Sequence, residues 1–126
     1  MAKKKILVVD DDAALTRLLR TVLERSERYE VLCVSEGGKA VEAIRSFGPE
    51  LILLDVDLPD LNGREIYSTL GKDEALKKIP VVFLTGTVSN NDVQNGVDIL
   101  GRPIMCKPIH MEKLIELIEK SLAPKA

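Results

Sequence analysis

Aromatic side chains are scarce in this sequence: two Phe, two Tyr and no Trp, 3% of 126 residues. So few rings leave no stacking platform for single-stranded nucleic acid. Nor does one sign of charge prevail. The 18 Lys and Arg nearly balance the 20 Asp and Glu, so no global field draws the chain onto a polyanion or an acidic bilayer. We expect no direct nucleic-acid partner and no membrane partner. Long apolar runs are missing too, none approaching the ~20 residues of a membrane helix. Lys3, Lys4 and Lys5 precede only a short apolar run before Asp10, too short for an export signal. The two cysteines, Cys33 and Cys106, fall in expected strands without metal-ligand spacing, and read as buried, reduced thiols of a cytoplasmic protein. The single histidine, His110, is expected to open the last helix or to face solvent.

What is present is an alternation. With 45% apolar residues, a chain of this length can bury a full core as one domain over 1–126, without disulfides. Ile6 to Val9 is a short apolar run suited to a strand covered on both faces. Behind an Asp cap, Leu15, Leu18, Leu19, Val22 and Leu23 follow helical spacing. Val31 to Val34 predicts a second strand, and residues 38–47 a helix stopped by Gly48-Pro49. Leu51 to Asp55 is the most apolar strand, hence central. After a loop with Pro59, Asn62 and Gly63 come a short helix over 64–71 and a strand over 79–85. Residues 89–101 are polar, with Val93, Val97 and Leu100 as their only helical stripe. A strand over 104–106 and an amphipathic helix over 111–122, with Leu114, Ile115, Ile118 and Leu122 inward, close the chain. Strands separated by helices imply right-handed βαβ units and one parallel sheet.

In such a sheet the ligand crevice lies outside the carboxyl ends of the strands. Those ends carry Asp10-Asp11-Asp12, Asp55, Thr85 and Lys107, whereas the second strand ends in Val34-Ser35. Crowded carboxylates repel, and a hard divalent cation with oxygen ligands relieves them; Mg²⁺ suits because it also accepts phosphate oxygens. A phosphoryl group in transfer spreads charge over its oxygens, which a cation, an ammonium and a hydroxyl can each stabilise. A carboxylate can be the nucleophile and form an acyl phosphate. One of the three N-terminal acids is needed as helix cap, and Asp12 is the best placed.

Four segments in register carry a resemblance: ILVVDD from Ile6, LILLDVDLPDLNG from Leu51, VVFLT from Val81 and CKP from Cys106. On these the sequence resembles the receiver domain of two-component response regulators over essentially its whole length. The resemblance implies a flavodoxin-like, doubly wound α/β fold: a five-stranded parallel sheet in the order 2-1-3-4-5 flanked by five helices. It implies Asp55 as phosphoacceptor, Asp11 as direct Mg²⁺ ligand, Asp10 acting through water, and the backbone carbonyl of Asp57 completing the metal ligands. It further implies Thr85 bonded to a phosphoryl oxygen, Lys107 paired with the phosphate, and a cis Lys107–Pro108 bond. The partner would be a histidine kinase or a histidine phosphotransfer protein. With no output domain in the chain, output would be contact with a downstream protein.

Three features depart from that pattern. Ile104 stands where the family often has a Tyr or Phe that swings with the hydroxyl; an Ile has no ring to swing. Asp57 adds an acid two residues after the acceptor. The fourth helix, opening on SNND, is polar. Two rival readings remain on the sequence: a haloacid-dehalogenase-like phosphatase, with Asp55 as nucleophile and Asp57 as general acid/base, and a receiver-fold interaction module without phosphorylation. Against the phosphatase, the acids after Lys107 (Glu112, Glu116 and Glu119) all lie inside the last helix. The expected activity is a switch that catalyses only its own phosphorylation and dephosphorylation, not an enzyme with turnover.

Overall fold

The computed structural model describes residues 3–86 and 102–122. Their order is β1 (Lys4–Val9), α1 (Ala13–Arg25), β2 (Tyr29–Val34), a 3₁₀ turn (Gly37–Lys39), α2 (Ala40–Phe47), β3 (Leu51–Asp55), α3 (Gly63–Gly71), β4 (Val81–Thr85), β5 (Ile104–Cys106) and α4 (Met111–Leu122). The helix expected over 89–101 lies outside the described residues, which hold four α-helices. The strands form one sheet in the order β2-β1-β3-β4-β5, every pairing parallel.

Alternation along the strands splits the core into two layers, as period-2 geometry requires. Leu7, Val9, Ile52, Leu54, Val81 and Phe83 face α2 and α3, where Ala40, Ile44, Ile66 and Leu70 meet them. Ile6, Val8, Leu51, Leu53, Val82 and Leu84 face α1 and α4, against Leu19, Leu23, Leu114 and Ile118. Each large aliphatic side chain so buried contributes about 1.5–3 kcal/mol relative to exposure. In the first layer Tyr67 meets Phe83 edge to face, ring centroids 5.5 Å apart. Every residue of β3 is buried, as its expected central position demands.

Local signals end the elements where the sequence places them. Asp12 is the cap of α1: its side chain accepts the Leu15 N–H at 3.1 Å. Gly48, at φ 67°, closes α2 in the left-handed conformation that only Gly adopts without strain. His110 is exposed and opens α4, its Nδ1 accepting from the Lys113 N–H at 3.4 Å. Three expectations need correction. Two glycines make the start of the second helix a 3₁₀ turn. Leu18 turns away from the core and is 49% exposed. Cys33 and Cys106 are only half-buried, because they lie on the two edge strands, β2 and β5.

Candidate phosphoryl and metal site

Strand register assembles the rim. Val9 pairs with Leu54, so Asp10, one residue on, comes level with Asp55 at the ends of β1 and β3. Thr85 pairs with Cys106, which sets Lys107 just beyond the end of β4. The Lys107 N–H donates to the Thr85 carbonyl at 2.8 Å, and the Lys107–Pro108 bond is cis. Asp10, Asp55 and Thr85 are the buried polar or charged residues among those described, at 1%, 2% and 0% exposure. Three buried polar groups at one end of an apolar sheet each need a partner, since an unpaired buried charge is costly.

The partners are mutual. Lys107 Nζ lies 2.9 Å from Asp10 Oδ2 and 3.4 Å from Asp55 Oδ2. Asp10 Oδ1 accepts the Asp12 N–H at 2.9 Å, and Asp55 Oδ1 accepts the Asp57 N–H at 3.1 Å. Among the described residues, Asp10 Oδ2 has the ion pair but no well-aligned donor. Asp11 is exposed, yet one carboxylate oxygen from each of Asp10, Asp11 and Asp55 fits within a 4.8 Å span. An all-oxygen set with an under-satisfied buried carboxylate fits a hard divalent cation such as Mg²⁺. Ile104 is 7% exposed and belongs to the core layer beneath the site, not to the rim.

Burial pushes the Asp55 carboxyl above its ordinary range, and the neighbouring Asp10 adds to the push. The Asp57 N–H and the Lys107 ammonium oppose this without cancelling it. For Lys107, burial works against the charge, but Asp10 and Asp55 outweigh it and raise its pKa. The folded chain therefore keeps the Asp55 proton to higher pH than the unfolded chain does. Stability from this group is greatest below the unfolded pKa, about 4, and is lost as pH rises through the folded one. Without divalent cations, Asp55→Asn should melt above the parent at neutral pH, the gap closing as pH falls toward that of a free carboxyl. A gap of constant size in melting scans across this range would remove burial of the charge as its cause.

Two contacts here have no precursor in the sequence pattern. Thr85 Oγ1 donates to Asp57 Oδ2 at 3.3 Å, so Asp57, exposed though it is, reaches the buried hydroxyl with its side chain. Asp60 accepts the N–H groups of Gly37 and Gly38, each at 2.9 Å, and these bonds hold its carboxyl below the usual range. This tethers the loop after β3 to the start of α2. Gly37 leaves the room this needs: a Cβ would lie 2.9 Å from Leu61 Cβ and 3.2 Å from Asp60 Oδ1, so these side chains would have to shift. The Gly37-Gly38 pair before a helix announces free N–H groups, but only the fold identifies Asp60 as their acceptor.

Residues 6–119 match the family model of the response regulator receiver domain. The DNA-binding response regulator MtrA of Mycolicibacterium paratuberculosis is 33% identical over 120 residues, 95% of this chain and 52% of MtrA. The chain thus spans about half the length of such curated relatives. The polar-differentiation response regulator DivK of Brucella ovis is 31% identical over 94% of this chain and 96% of its own. Among solved structures, the phosphorylated cyanobacterial phytochrome response regulator RcpA aligns with a TM-score of 0.76 and 31% identity, covering 99% of this chain and 98% of its own.

Proposed function

Since the chain belongs to the response regulator receiver domain family, we propose that it is a phosphoacceptor signalling switch in which Asp55 takes a phosphoryl group from a phosphohistidine partner. The observation that carries this reading is the placement of Asp55: buried at the end of the central strand, beside Asp10 and within 3.4 Å of the Lys107 ammonium. Receiver domains are signalling switches rather than turnover enzymes, so the phosphatase reading is set aside.

In the proposed reaction, an Asp55 carboxylate oxygen attacks phosphorus while the bond to the donor's histidine nitrogen breaks. Asp10, Asp11, Asp55 and the Asp57 carbonyl would hold Mg²⁺, which when bound supplies positive charge against the phosphoryl oxygens. Lys107 then exchanges its carboxylate partners for the phosphoryl group, and the Thr85 hydroxyl donates to one of its oxygens. The donor would be a histidine kinase or histidine phosphotransfer protein in the cytoplasm, and the readout a changed protein-binding surface. Among the described residues no helix is long and apolar enough to cross a membrane. The test is incubation with Mg²⁺ and a small phosphodonor: one acid- and base-labile phosphoryl group per chain by intact mass supports the reading, and none overturns it.

Metal affinity separates the N-terminal acids. Asp12 is committed to the Leu15 N–H, whereas Asp11 has a carboxylate oxygen in the cluster. Asp11→Ala should weaken Mg²⁺ binding at least about tenfold, the loss of one charged ligand. Asp12→Ala should instead cost mainly helix stability, about 1 kcal/mol. Equal losses of affinity in calorimetric titrations would reject this division of roles.

A further inference from the structure

Asp57 holds the Thr85 hydroxyl in the resting chain, at 3.3 Å. Its own position is fixed by the acceptor, through the 3.1 Å bond from its N–H to Asp55 Oδ1. The loop that carries it is tied down further along by Asp60 on Gly37 and Gly38. A hydroxyl has one proton to donate. A phosphoryl oxygen on Asp55 and the Asp57 carboxylate therefore cannot both receive it. We propose that Asp57 is a competing acceptor: its carboxylate holds Thr85 against the phosphoryl group and sets how readily phosphorylation captures that hydroxyl. This rests on the phosphoacceptor reading above and assigns the Asp57 side chain a role separate from its backbone carbonyl. Linkage makes the role quantitative. Whatever free energy the resting bond holds is subtracted from phosphoryl binding, so breaking the bond must tighten that binding by the same factor.

The simpler alternative is charge. An acid this close would weaken any anion in the site without touching Thr85, and removing it would tighten binding all the same. Asn and Ala separate the two, because both remove the charge while only Asn keeps an acceptor oxygen. The probe is beryllofluoride with saturating Mg²⁺, a mimic of a carboxyl-bound phosphoryl group, titrated calorimetrically into the full chain. Competition predicts that Asp57→Ala binds about fivefold tighter than Asp57→Asn, the worth of one net hydrogen bond. The difference should vanish when both are combined with Thr85→Val, which keeps the shape of the buried side chain. It should return with Thr85→Ser, which restores the donor and guards against a fold artefact. Equal affinities for Asp57→Ala and Asp57→Asn would overturn the proposal, as would a difference that persists beside Thr85→Val. Failure of the parent to bind the probe at all would instead overturn the phosphoacceptor reading, and the competition with it.

Discussion

Asp55→Ala should lose the phosphoryl label, falling below about 1% of the parent's labelling rate, because the proposed reaction has no other nucleophile of equal placement among the described residues. Asp10 is as deeply buried and one strand away, but its oxygens are held more tightly, by Lys107 at 2.9 Å and the Asp12 N–H at 2.9 Å, against 3.4 Å and 3.1 Å for the matching contacts of Asp55. Asp11 and Asp57 are exposed at the margins. The same substitution should leave the chain folded, since it removes a carboxylate whose burial works against its charge. Intact mass and peptide mapping after treatment with a small phosphodonor give the measurement. Undiminished labelling of a folded Asp55→Ala chain would mean that another acid is the acceptor.

Gly63→Ala should be the most damaging small substitution near the site. Gly63 begins α3, and a Cβ there would lie 2.3 Å from the Asp55 carbonyl oxygen and 3.0 Å from both the Asp55 carbonyl carbon and Val56 Cα. All three are main-chain atoms at the end of the central strand, so no side chain can swing aside to make room. The Gly63 N–H also donates to the Val56 carbonyl at 3.0 Å, which holds the helix start against that strand. Overpacking of this kind costs about 2–3 kcal/mol, roughly 10 °C in melting temperature for a chain of this size. Because the displaced atoms are the backbone of Asp55, the proposed acceptor, labelling should slow as well. Gly71 is the control: a Cβ there meets nothing within 4 Å, and Ala at the end of α3 should be neutral or slightly stabilising. Equal melting temperatures for Gly63→Ala and Gly71→Ala would show that the loop yields easily.

Much of the architecture was legible because parallel strands buried on both faces read as unbroken apolar runs. Ile6 to Val9, Leu51 to Leu54 and Val81 to Leu84 each end on a polar residue, and the same topology that buries the runs collects their ends on one rim. Edge effects were not legible, since the order of strands, not their composition, leaves Cys33, Leu32 and Cys106 partly open. Leu18 fits a helical stripe as well as Leu19 does; only the placement of the sheet under α1 turns one outward and the other in. The Asp57–Thr85 and Asp60–Gly37 bonds span 28 and 23 residues and depend on side-chain reach across two loops, which no periodicity encodes. Asp57 was visible as an extra negative charge; its hydrogen bond required the fold.

The edge-to-face contact of Tyr67 with Phe83 gives the molecule a built-in optical gauge. Phe83 stands two residues before Thr85 on β4, and with no Trp and only two Tyr in the chain, near-ultraviolet circular dichroism is dominated by very few chromophores. Tyr67, partly buried, therefore views the strand that carries the hydroxyl from the margin of the core. A shift of β4 against α3 would alter this ring contact and should change the near-ultraviolet spectrum without any label being attached.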